Sequence, residues 1–372
     1  MRWVRVVLDN SLLLVAGTAA AILWANLDLR GYESAAAPLH FWINDVGMAF
    51  FFALAAKEVF ESTLPGGALS SPRTAVSPLG AAVGGMAAPA LIYIALARTL
   101  GSPSLARGWA IPCATDIAFS AMVARIVFPR RHPAIPFLLL LAIADDALGL
   151  AILAIFYPSA TLAPLVFAVA MAAALSLAWW LRRRGVATFW AYVAGPGVLS
   201  WGALFFGGFH PALALVPIVP LMPHAQVDLG IFDEREPARP DTLDRFEHWW
   251  STPVQIVLLL FGFANAGVPL QSVGVGTAGV VLGLLVGKPA GIMLATWLTK
   301  QLGGGVPAGL RPSDVLLIGI TASIGFTVSL FFATAAFPAG SLLSETKMGA
   351  LLSFVAAPIA IAASRLVHRR QV

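Results

Sequence analysis

Charged residues are scarce in this sequence. Asp, Glu, Lys and Arg make up 11% of its 372 residues, whereas 59% are hydrophobic, and the mean hydropathy is +0.85. Soluble globular proteins carry roughly 25% charged residues, so this chain has too little polar surface to stay in water as a monomer. The deficit argues against an ordinary soluble enzyme. It predicts an all-α integral membrane protein with the lipid bilayer as the solvent for most of the chain.

Cysteines and clustered metal ligands are also lacking. Cys113 is the only cysteine, which excludes an internal disulfide and a multi-cysteine metal site. The six histidines show no metal-ligand spacing, and no cofactor is expected. The formal net charge of +5 forms no basic stripe, so no nucleic-acid partner is expected. The first apolar run, 7–25, is long enough to span a bilayer and lacks a cleavage site, which predicts a retained helix.

Apolar runs long enough to cross a bilayer recur along the chain. A helix needs about 20 apolar residues to span roughly 30 Å of hydrocarbon. This criterion predicts about twelve transmembrane helices in a single domain covering 1–372. The predicted spans are 7–26, 43–62, 75–99, 108–128, 134–157, 160–181, 187–206, 208–223, 252–270, 274–299, 313–337 and 345–367. The eighth span is short and rich in proline, and the polar segment 224–251 is predicted to be a cytoplasmic loop.

The positive charges favour one orientation in the membrane. If the N-terminus is cytoplasmic, the inner segments hold 18 of the 23 Lys and Arg residues and the outer segments hold 4, while Lys288 lies within a span. Such an asymmetry follows the positive-inside rule. A multi-pass protein with both termini in the cytoplasm is therefore predicted.

The two halves of the chain share a faint similarity. The sequence IAFS at 117–120 resembles IGFT at 324–327, and MAAPA at 86–90 parallels VGKPA at 286–290. Predicted helices 3–5 and 10–12 begin on opposite sides of the membrane, so a true repeat would have inverted topology and would form the ion-binding core.

Helices 4 and 11 are predicted to be interrupted. Pro112 removes a helical hydrogen bond near the middle of the fourth span, just before Asp116. The equivalent place in the eleventh span holds Gly319, Thr321, Ser323 and Gly325. Interrupted helices at matching positions of two halves indicate a transport site. Ordinary Pro and Gly residues of membrane helices are the alternative interpretation.

Four charged residues lie deep within apolar spans: Asp116, Asp145, Asp146 and Lys288. Each costs roughly 2.5–3.5 kcal/mol at a helix centre, so such residues are retained where they pair with one another or line a wet cavity. A structural salt bridge with Lys288 is the simpler alternative, but one lysine cannot neutralise three aspartates. Lys288 itself is either a fixed counter-charge or a titrating group.

The adjacent aspartates suggest proton–cation exchange. Neighbouring residues of a helix point about 100° apart, so one carboxylate can face a cavity while the other faces a partner helix. Like charges at close range disfavour ionisation of both groups, so one carboxyl can hold a proton near neutral pH and release it when a cation arrives. Na⁺ is a hard cation, and the oxygens of Asp145, Asp146 and Thr115, with freed backbone carbonyls, are suitable ligands.

Six short motifs follow one another along the chain: WIND at 42–45, ATDIAF at 114–119, LAIADD at 141–146, FANAGV at 263–268, GKP at 287–289 and IGFT at 324–327. In this order they resemble the NhaA family of bacterial sodium/proton antiporters, from the second to the eleventh predicted span. The resemblance implies inverted repeats with crossed, interrupted helices 4 and 11. It also implies electrogenic exchange of Na⁺ or Li⁺ for H⁺, activation at alkaline pH, a homodimer and the bacterial inner membrane.

The resemblance also implies roles for residues near the crossing. Asp146 would be the principal cation ligand and proton carrier. Asp145 would pair with Lys288 and release it when the cation binds, and Thr115 would add an oxygen ligand. Asp116 would compensate helix-end charge.

Further residues match the family outside the crossing. Asp45 matches an acid at the outer end of the second span, and Glu58, Glu247 and His248 match part of a cytoplasmic cluster that senses pH. A histidine is a natural sensor near neutral pH, although a loop histidine is more often merely solvated. His210 matches a histidine of the eighth span, with a packed histidine as the alternative.

The chain departs from the family pattern in two places. Ser62 and Ser251 stand where a second acid and a second histidine are expected in the pH-sensing cluster. The outer loop 27–41 is short for the hairpin that joins two protomers in the family.

A different ion-coupled transporter, such as a cation-coupled symporter, is the alternative function. A carboxylate-rich site disfavours anionic substrates, and a symporter leaves the adjacent aspartates unexplained. An enzyme is not expected. An intramembrane aspartyl protease is disfavoured because its G-x-G-D pattern is absent and because Asp145 and Asp146 are adjacent in one helix instead of facing each other across two.

Overall fold

The computed structural model describes residues 12–67, 69–129, 132–224, 241–305 and 309–369, and within these ranges the regular secondary structure is helical, without strands. Helices satisfy their own backbone hydrogen bonds, which a lipid environment requires. The α-helices are α1 Leu12–Leu27, α2 Leu29–His40, α3 Met48–Thr63, α4 Pro72–Thr99, α5 Ile117–Val127, α6 Ala134–Phe156, α7 Pro164–Arg183, α8 Phe189–Tyr192, α9 Val198–Gly207, α10 Thr242–Asn265, α11 Val275–Leu282, α12 Lys288–Gln301, α13 Pro312–Ala322, α14 Phe326–Ala336, α15 Ser341–Leu352 and α16 Ala356–Arg369.

Short π-helical segments join several of these helices into longer rods. They are Phe41–Gly47 between α2 and α3, Val193–Gly197 between α8 and α9, and Gly283–Gly287 between α11 and α12. A further set of 3₁₀ turns comprises Pro103–Gly108, Ile111–Cys113, Pro211–Leu213, Val219–Leu221 and Ser353–Val355.

Among the described residues, seven helices are long and apolar enough to cross a membrane, or nine if each of two bent helix pairs forms one span. The chain is therefore a multi-pass helical membrane protein. The described part of the predicted span 7–26 is the shorter apolar helix Leu12–Leu27, and the predicted spans 208–223 and 252–270 do not meet these criteria. The twelve-span topology therefore stays a prediction. The inverted repeats likewise stay a prediction. The first eleven residues and the last three, which carry the predicted cytoplasmic termini, lie outside the described ranges.

The predicted eighth span is not a regular helix. Residues 208–223 form only the two short turns Pro211–Leu213 and Val219–Leu221. Proline lacks an amide N–H and clashes with the preceding helical turn, so Pro211, Pro217 and Pro220 prevent a continuous α-helix.

The predicted outer loop 27–41 is instead helical. Asp28 caps α2 by accepting a hydrogen bond from the backbone N–H of Gly31 at 3.0 Å, and α2 continues through the π segment into α3 as one 35-residue helix. Tyr32 anchors this helix, because its hydroxyl lies 2.8 Å from the carbonyl oxygen of Phe263. The homodimer, which the resemblance places at this segment, stays a prediction.

The predicted loop 224–251 is also partly helical. The helix α10 begins at Thr242, where the side chains of Asp241 and Asp244 form a reciprocal capping box. Glu247 and His248 therefore lie on a helix, not in a loop. The rest of the predicted loop, 225–240, lies outside the described residues.

The helices α4 and α12, which contain the two similar segments around 86–90 and 286–290, pack closely. A Cβ atom on Gly84 would lie 2.4 Å from the carbonyl oxygen of Gly291, and one on Gly291 would lie 2.1 Å from that of Gly84. Small residues let membrane helices approach in this way. The contact fixes α12, and with it Lys288, against the centre of the protein.

Candidate ion-binding site

Two interrupted helices meet at the centre of the molecule. The helical segment Pro103–Cys113 and α5 are bent by 51° across a break, and so are α13 and α14. The backbone N–H of Asp116 in one break donates to the carbonyl oxygen of Ile324 in the other at 2.7 Å. The interruptions lie in the predicted places, and each break satisfies backbone groups that the other has freed.

Glycine permits this close approach. A Cβ atom on Gly325 would lie 2.7 Å from the carbonyl oxygen of Ala114, which is too short for a side chain. Hydroxyl groups complete the contact: Ser120 Oγ donates to the carbonyl oxygen of Thr321 at 3.0 Å.

Asp116 lies at the N-termini of both half-helices. Its Oδ1 accepts from the backbone N–H of Phe119 in α5 at 3.3 Å, and its Oδ2 accepts from that of Thr327 in α14 at 3.2 Å. The Thr327 hydroxyl also donates to Oδ2. Helix N-termini carry partial positive charge, so one buried carboxylate stabilises two of them. The role of Asp116 in helix-end charge compensation stays a prediction.

Lys288 and Asp145 form a fully buried ion pair. Lys288 Nζ lies 2.7 Å from Asp145 Oδ2, and both side chains have zero exposure. The ammonium also donates to the carbonyl oxygen of Cys113, at the end of the 3₁₀ turn where helix-end carbonyls carry partial negative charge. Thr115 Oγ1 lies 2.7 Å from the same Asp145 oxygen. The other oxygen, Asp145 Oδ1, is buried without a hydrogen-bond partner among the described residues.

Asp146 faces a different environment from its neighbour. It is half-buried, and no hydrogen bond to its carboxylate occurs among the described residues. It lines a cavity of about 270 Å³, together with Thr115, Asp116 and Thr327. The two adjacent aspartates therefore divide as their 100° separation on a helix predicts: Asp145 faces partners and Asp146 faces open space.

The cavity is open on one side of the aspartates and nearly closed on the other. Its mouth holds the exposed residues Glu58 and Ser251. Beyond Asp145 and Asp146 the space shrinks to about 10 Å³, bounded by aromatic residues that include Phe52 and Phe332. Around the described residues, the open route to Asp146 thus begins at the face that holds Glu58 and Ser251.

The cavity mouth adjoins an ion-pair cluster centred on Lys57. The Lys57 side chain is 6% exposed, and its Nζ lies 2.6 Å from Glu61 Oε2, 2.6 Å from Glu247 Oε2 and 3.7 Å from Asp244 Oδ1. This cluster joins α3 to α10. The sequence carries a signal for part of this cluster, because Lys57 and Glu61 are four residues apart, a spacing that pairs side chains on a helix.

Replacing Lys57 by Met should destabilise the protein, since three carboxylates would then face one another without a cation. We expect a loss of about 1–3 kcal/mol, between the values for exposed and buried pairs, because the acids are partly exposed. Thermal unfolding in detergent, followed by tryptophan fluorescence, measures the loss. Lys57→Arg should retain most of the stability, and a melting temperature of Lys57→Met equal to that of the unaltered protein would contradict the prediction.

The other predicted pH-sensing residues are not all brought together. Glu247 joins the Lys57 cluster, and Glu58 lies at the cavity mouth. The exposed His248 side chain makes no hydrogen bond or ion pair within the described residues, which favours the solvated interpretation. Ser62 is buried and donates to the carbonyl oxygen of Val59 at 2.7 Å, so it plays a local structural part.

Asp45 lies beside His210, away from the crossing. Asp45 Oδ1 and His210 Nδ1 are 3.9 Å apart. His210 Nδ1 accepts from the backbone N–H of Ala212 at 3.4 Å, and its ring packs 4.8 Å from that of Phe331. These contacts favour the interpretation of His210 as a packed histidine.

The crossing of two interrupted helices, the buried charges beside it and the one-sided cavity define a class of protein, the ion-coupled secondary transporters. Within the described ranges, no group of three or more His, Cys, Asp or Glu side chains is placed to hold a metal ion.

Comparison with known proteins identifies the family. The sequence profile of the Na⁺/H⁺ antiporter 1 family matches residues 2–364, and the chain belongs to this family. It is 45% identical to the Na(+)/H(+) antiporter NhaA of Jannaschia sp. strain CCS1, over 96% of each chain. It is 44% identical to the Na(+)/H(+) antiporter NhaA of Geobacter metallireducens, over 98% of this chain and 97% of the relative. The resemblance inferred from the six motifs is confirmed.

The fold also resembles a solved structure. The sodium proton antiporter MjNhaP1 from Methanocaldococcus jannaschii matches with a TM-score of 0.57, covering 95% of this chain and 91% of its own. The two sequences are 16% identical, so the likeness concerns the fold alone.

Proposed function

We propose that this protein is a secondary antiporter of the bacterial inner membrane that exchanges cytoplasmic Na⁺ or Li⁺ for external H⁺ through Asp146. One observation carries the proposal: the Asp146 carboxylate, which has no hydrogen-bonding partner among the described residues, faces a cavity next to a buried lysine–carboxylate pair. Membership of the Na⁺/H⁺ antiporter 1 family supports it.

Exchange follows from competition at one carboxylate. Asp146 can be neutralised by a proton or by a cation, and the two occupants exclude each other. Either occupant removes the cost of carrying an isolated charge through a poorly hydrated region. Binding of Na⁺ on one side of the membrane and of H⁺ on the other then couples the two gradients.

The neighbours of Asp146 can complete the cation's ligand shell. Na⁺ favours several oxygens, and Asp145 offers Oδ1, which lacks a partner among the described residues. Thr115 Oγ1 lies beside the other carboxylate oxygen of Asp145. As the cation approaches, it competes with the Lys288 ammonium for Asp145, so we propose that binding loosens the Lys288–Asp145 pair. Asp116 would hold the half-helix N-termini in place throughout.

Alternating access is supported by the asymmetry of the space around the aspartates. We assign the open cavity to the cytoplasmic side, because the predicted orientation places Glu58 and Ser251 there. In the opposite state, the aromatic constriction that includes Phe52 and Phe332 would open and the cavity would close. The inverted repeats predicted for helices 3–5 and 10–12 provide two halves that can interchange in this way.

Electrogenic exchange needs a second proton carrier, because one proton for one Na⁺ moves no net charge. The candidates in contact with the site are Asp145 and Lys288. Activation at alkaline pH is a further part of the proposal. We propose that Glu58, at the cavity mouth, and Glu247, in the Lys57 cluster, take part in this activation, in preference to the solvated His248.

Everted membrane vesicles from an antiporter-deficient bacterium test the proposal. Addition of NaCl or LiCl should dissipate an imposed proton gradient, reported by acridine-orange dequenching, and KCl should not. The pH should run from about 6.5 to about 9, which covers the ordinary range of histidine and of perturbed carboxyls. A collapsed membrane potential should slow electrogenic exchange.

The absence of Na⁺- or Li⁺-dependent exchange would favour the alternative function. If folded, inserted protein shows no response to Na⁺ or Li⁺ at any pH, the antiporter proposal is wrong and a cation-coupled symporter becomes the better interpretation.

A further inference from the structure

The wall of the cavity carries a polar residue that neither the ion pairs nor the family motifs include. We infer that Gln255, with Ser251 and Glu58, forms a transient cation-binding position on the path between the cavity mouth and Asp146. The inference deepens the proposed function, because it rests on exchange at Asp146 and adds a step before it.

The position of Gln255 follows from the helix period. α10 lines the cavity with Ser251, Val254, Gln255 and Leu258. Spacings of three, four and seven residues place these side chains on one helix face. Ser251 is at the mouth, and Gln255 lies one turn, about 6 Å, further along α10 toward Asp146.

Gln255 has a side-chain oxygen that lacks a hydrogen-bond partner among the described residues. This atom, Oε1, is buried. In a membrane interior an unsatisfied polar atom is costly. Because Gln255 lines the cavity, rotation of its side chain would turn the amide oxygen toward an entering cation. The cavity volume of about 270 Å³ exceeds the roughly 30 Å³ that one water occupies in the liquid, so a partly hydrated ion fits.

Glu58 and Ser251 also offer oxygen ligands for this cation. Glu58 is exposed to the cavity, and its carboxylate makes no hydrogen bond or ion pair with other described residues. The Ser251 hydroxyl donates its proton to the carbonyl oxygen of His248 at 3.1 Å, which leaves its oxygen lone pairs for a ligand. The set consists of oxygen acceptors, the ligands that Na⁺ and other hard cations favour.

A neutral amide oxygen binds a cation weakly, and weak binding suits a position that the cation must leave again. Conduction requires sites that attract the ion enough to draw it in but hold it loosely enough to let it leave. Gln255 would replace part of the hydration shell before the cation reaches the stronger carboxylate ligands. Such a position speeds entry and exit equally and leaves the equilibrium affinity of Asp146 unchanged.

The kinetic test uses a substitution that removes the oxygen and keeps the size. In everted vesicles, Gln255→Leu should raise the apparent KM for Na⁺ about three- to tenfold, the range for loss of one neutral oxygen contact, with little change in rate at saturating Na⁺. Equilibrium Na⁺ binding to purified protein, measured by calorimetry, should not change.

Two variants separate ion handling from packing. Gln255→Glu keeps an oxygen and should bring KM to the unaltered value or below. Gln271→Leu makes the same change at an exposed residue outside the cavity and should have no effect. A KM for Gln255→Leu within twofold of the unaltered protein, or equal increases for Gln255→Leu and Gln255→Glu, would overturn the inference.

A second measurement does not depend on exchange. In an Asp146→Asn background, Ser251→Cys places a thiol at the mouth, where a cationic methanethiosulfonate reagent can reach it, while the native Cys113 is buried. Replacing choline chloride by NaCl should slow the labelling, and Gln255→Leu should remove this protection. Unchanged labelling in NaCl would overturn the transient position, whereas failure of the unaltered protein to exchange Na⁺ would overturn only the proposed function.

Discussion

Replacing Asp146 by Asn is expected to reduce Na⁺-dependent proton exchange at least about a hundredfold, because the change removes a charged cation ligand and a proton carrier together. An amide has almost the same shape, and Asp146 makes no hydrogen bond to other described residues that the change would break. The protein should therefore fold normally. Acridine-orange dequenching in everted vesicles, normalised to the amount of inserted protein, measures the loss.

Two other aspartates supply the controls for this experiment. Asp28→Asn makes the same change at an exposed helix cap and should leave exchange intact. Asp145→Asn should weaken Na⁺ binding and also alter stability, since Asp145 belongs to the ion pair with Lys288. Exchange by Asp146→Asn at a rate near that of the unaltered protein would move the site away from Asp146 and would remove the basis of the proposed function.

Replacing Lys288 by Met should give the largest loss of stability. The substitution removes the cation from a fully buried pair and leaves Asp145 as an isolated charge. Breaking such a pair costs roughly 3–5 kcal/mol. The carbonyl oxygen of Cys113 also loses its donor. A strongly lowered melting temperature in detergent is the expected result.

A double-mutant cycle can separate the ion pair from other effects of the substitution. Asp145→Asn should restore part of the stability in the Lys288→Met background, because the buried charge is then gone. Lys300→Met is the matched control, since Lys300 is exposed at the other end of the same helix, α12. Additive losses from Lys288→Met and Asp145→Asn would show that the two residues do not stabilise each other.

The two experiments distinguish roles that sequence analysis left open. If Asp146→Asn abolishes exchange in a stable protein while Lys288→Met mainly destabilises it, Lys288 acts as a fixed counter-charge. If Lys288→Met keeps most of the stability and loses electrogenic exchange, Lys288 is itself a proton carrier. The buried contacts of Lys288 favour the first outcome.

Much of the fold could be predicted because lipid imposes a simple rule on sequence. Long apolar runs must form helices, and most of the predicted spans correspond to observed ones within a few residues, as for 134–157 and Ala134–Phe156. The predicted helix bounds were wrong where proline or a helix-capping side chain acted on the local backbone. Three prolines broke the predicted span 208–223, and cap residues extended helices into predicted loops at Asp28 and Asp241.

The sequence alone determined which charges lie within apolar spans and where two helices break. A charge within an apolar run is costly wherever the chain folds, so Asp116, Asp145, Asp146 and Lys288 could be singled out without coordinates. Proline and glycine act on their own backbone, so the breaks are local as well.

Only the tertiary structure decided what these residues face. In the folded protein Lys288 pairs with Asp145, and Asp146 faces the cavity. Asp116 lies between two helix N-termini, and three acids surround Lys57. These contacts join helices far apart in sequence, and their geometry depends on how whole helices pack. Residue spacing gives no measure of that packing, which is why the cavity and Gln255 became visible only in the folded protein.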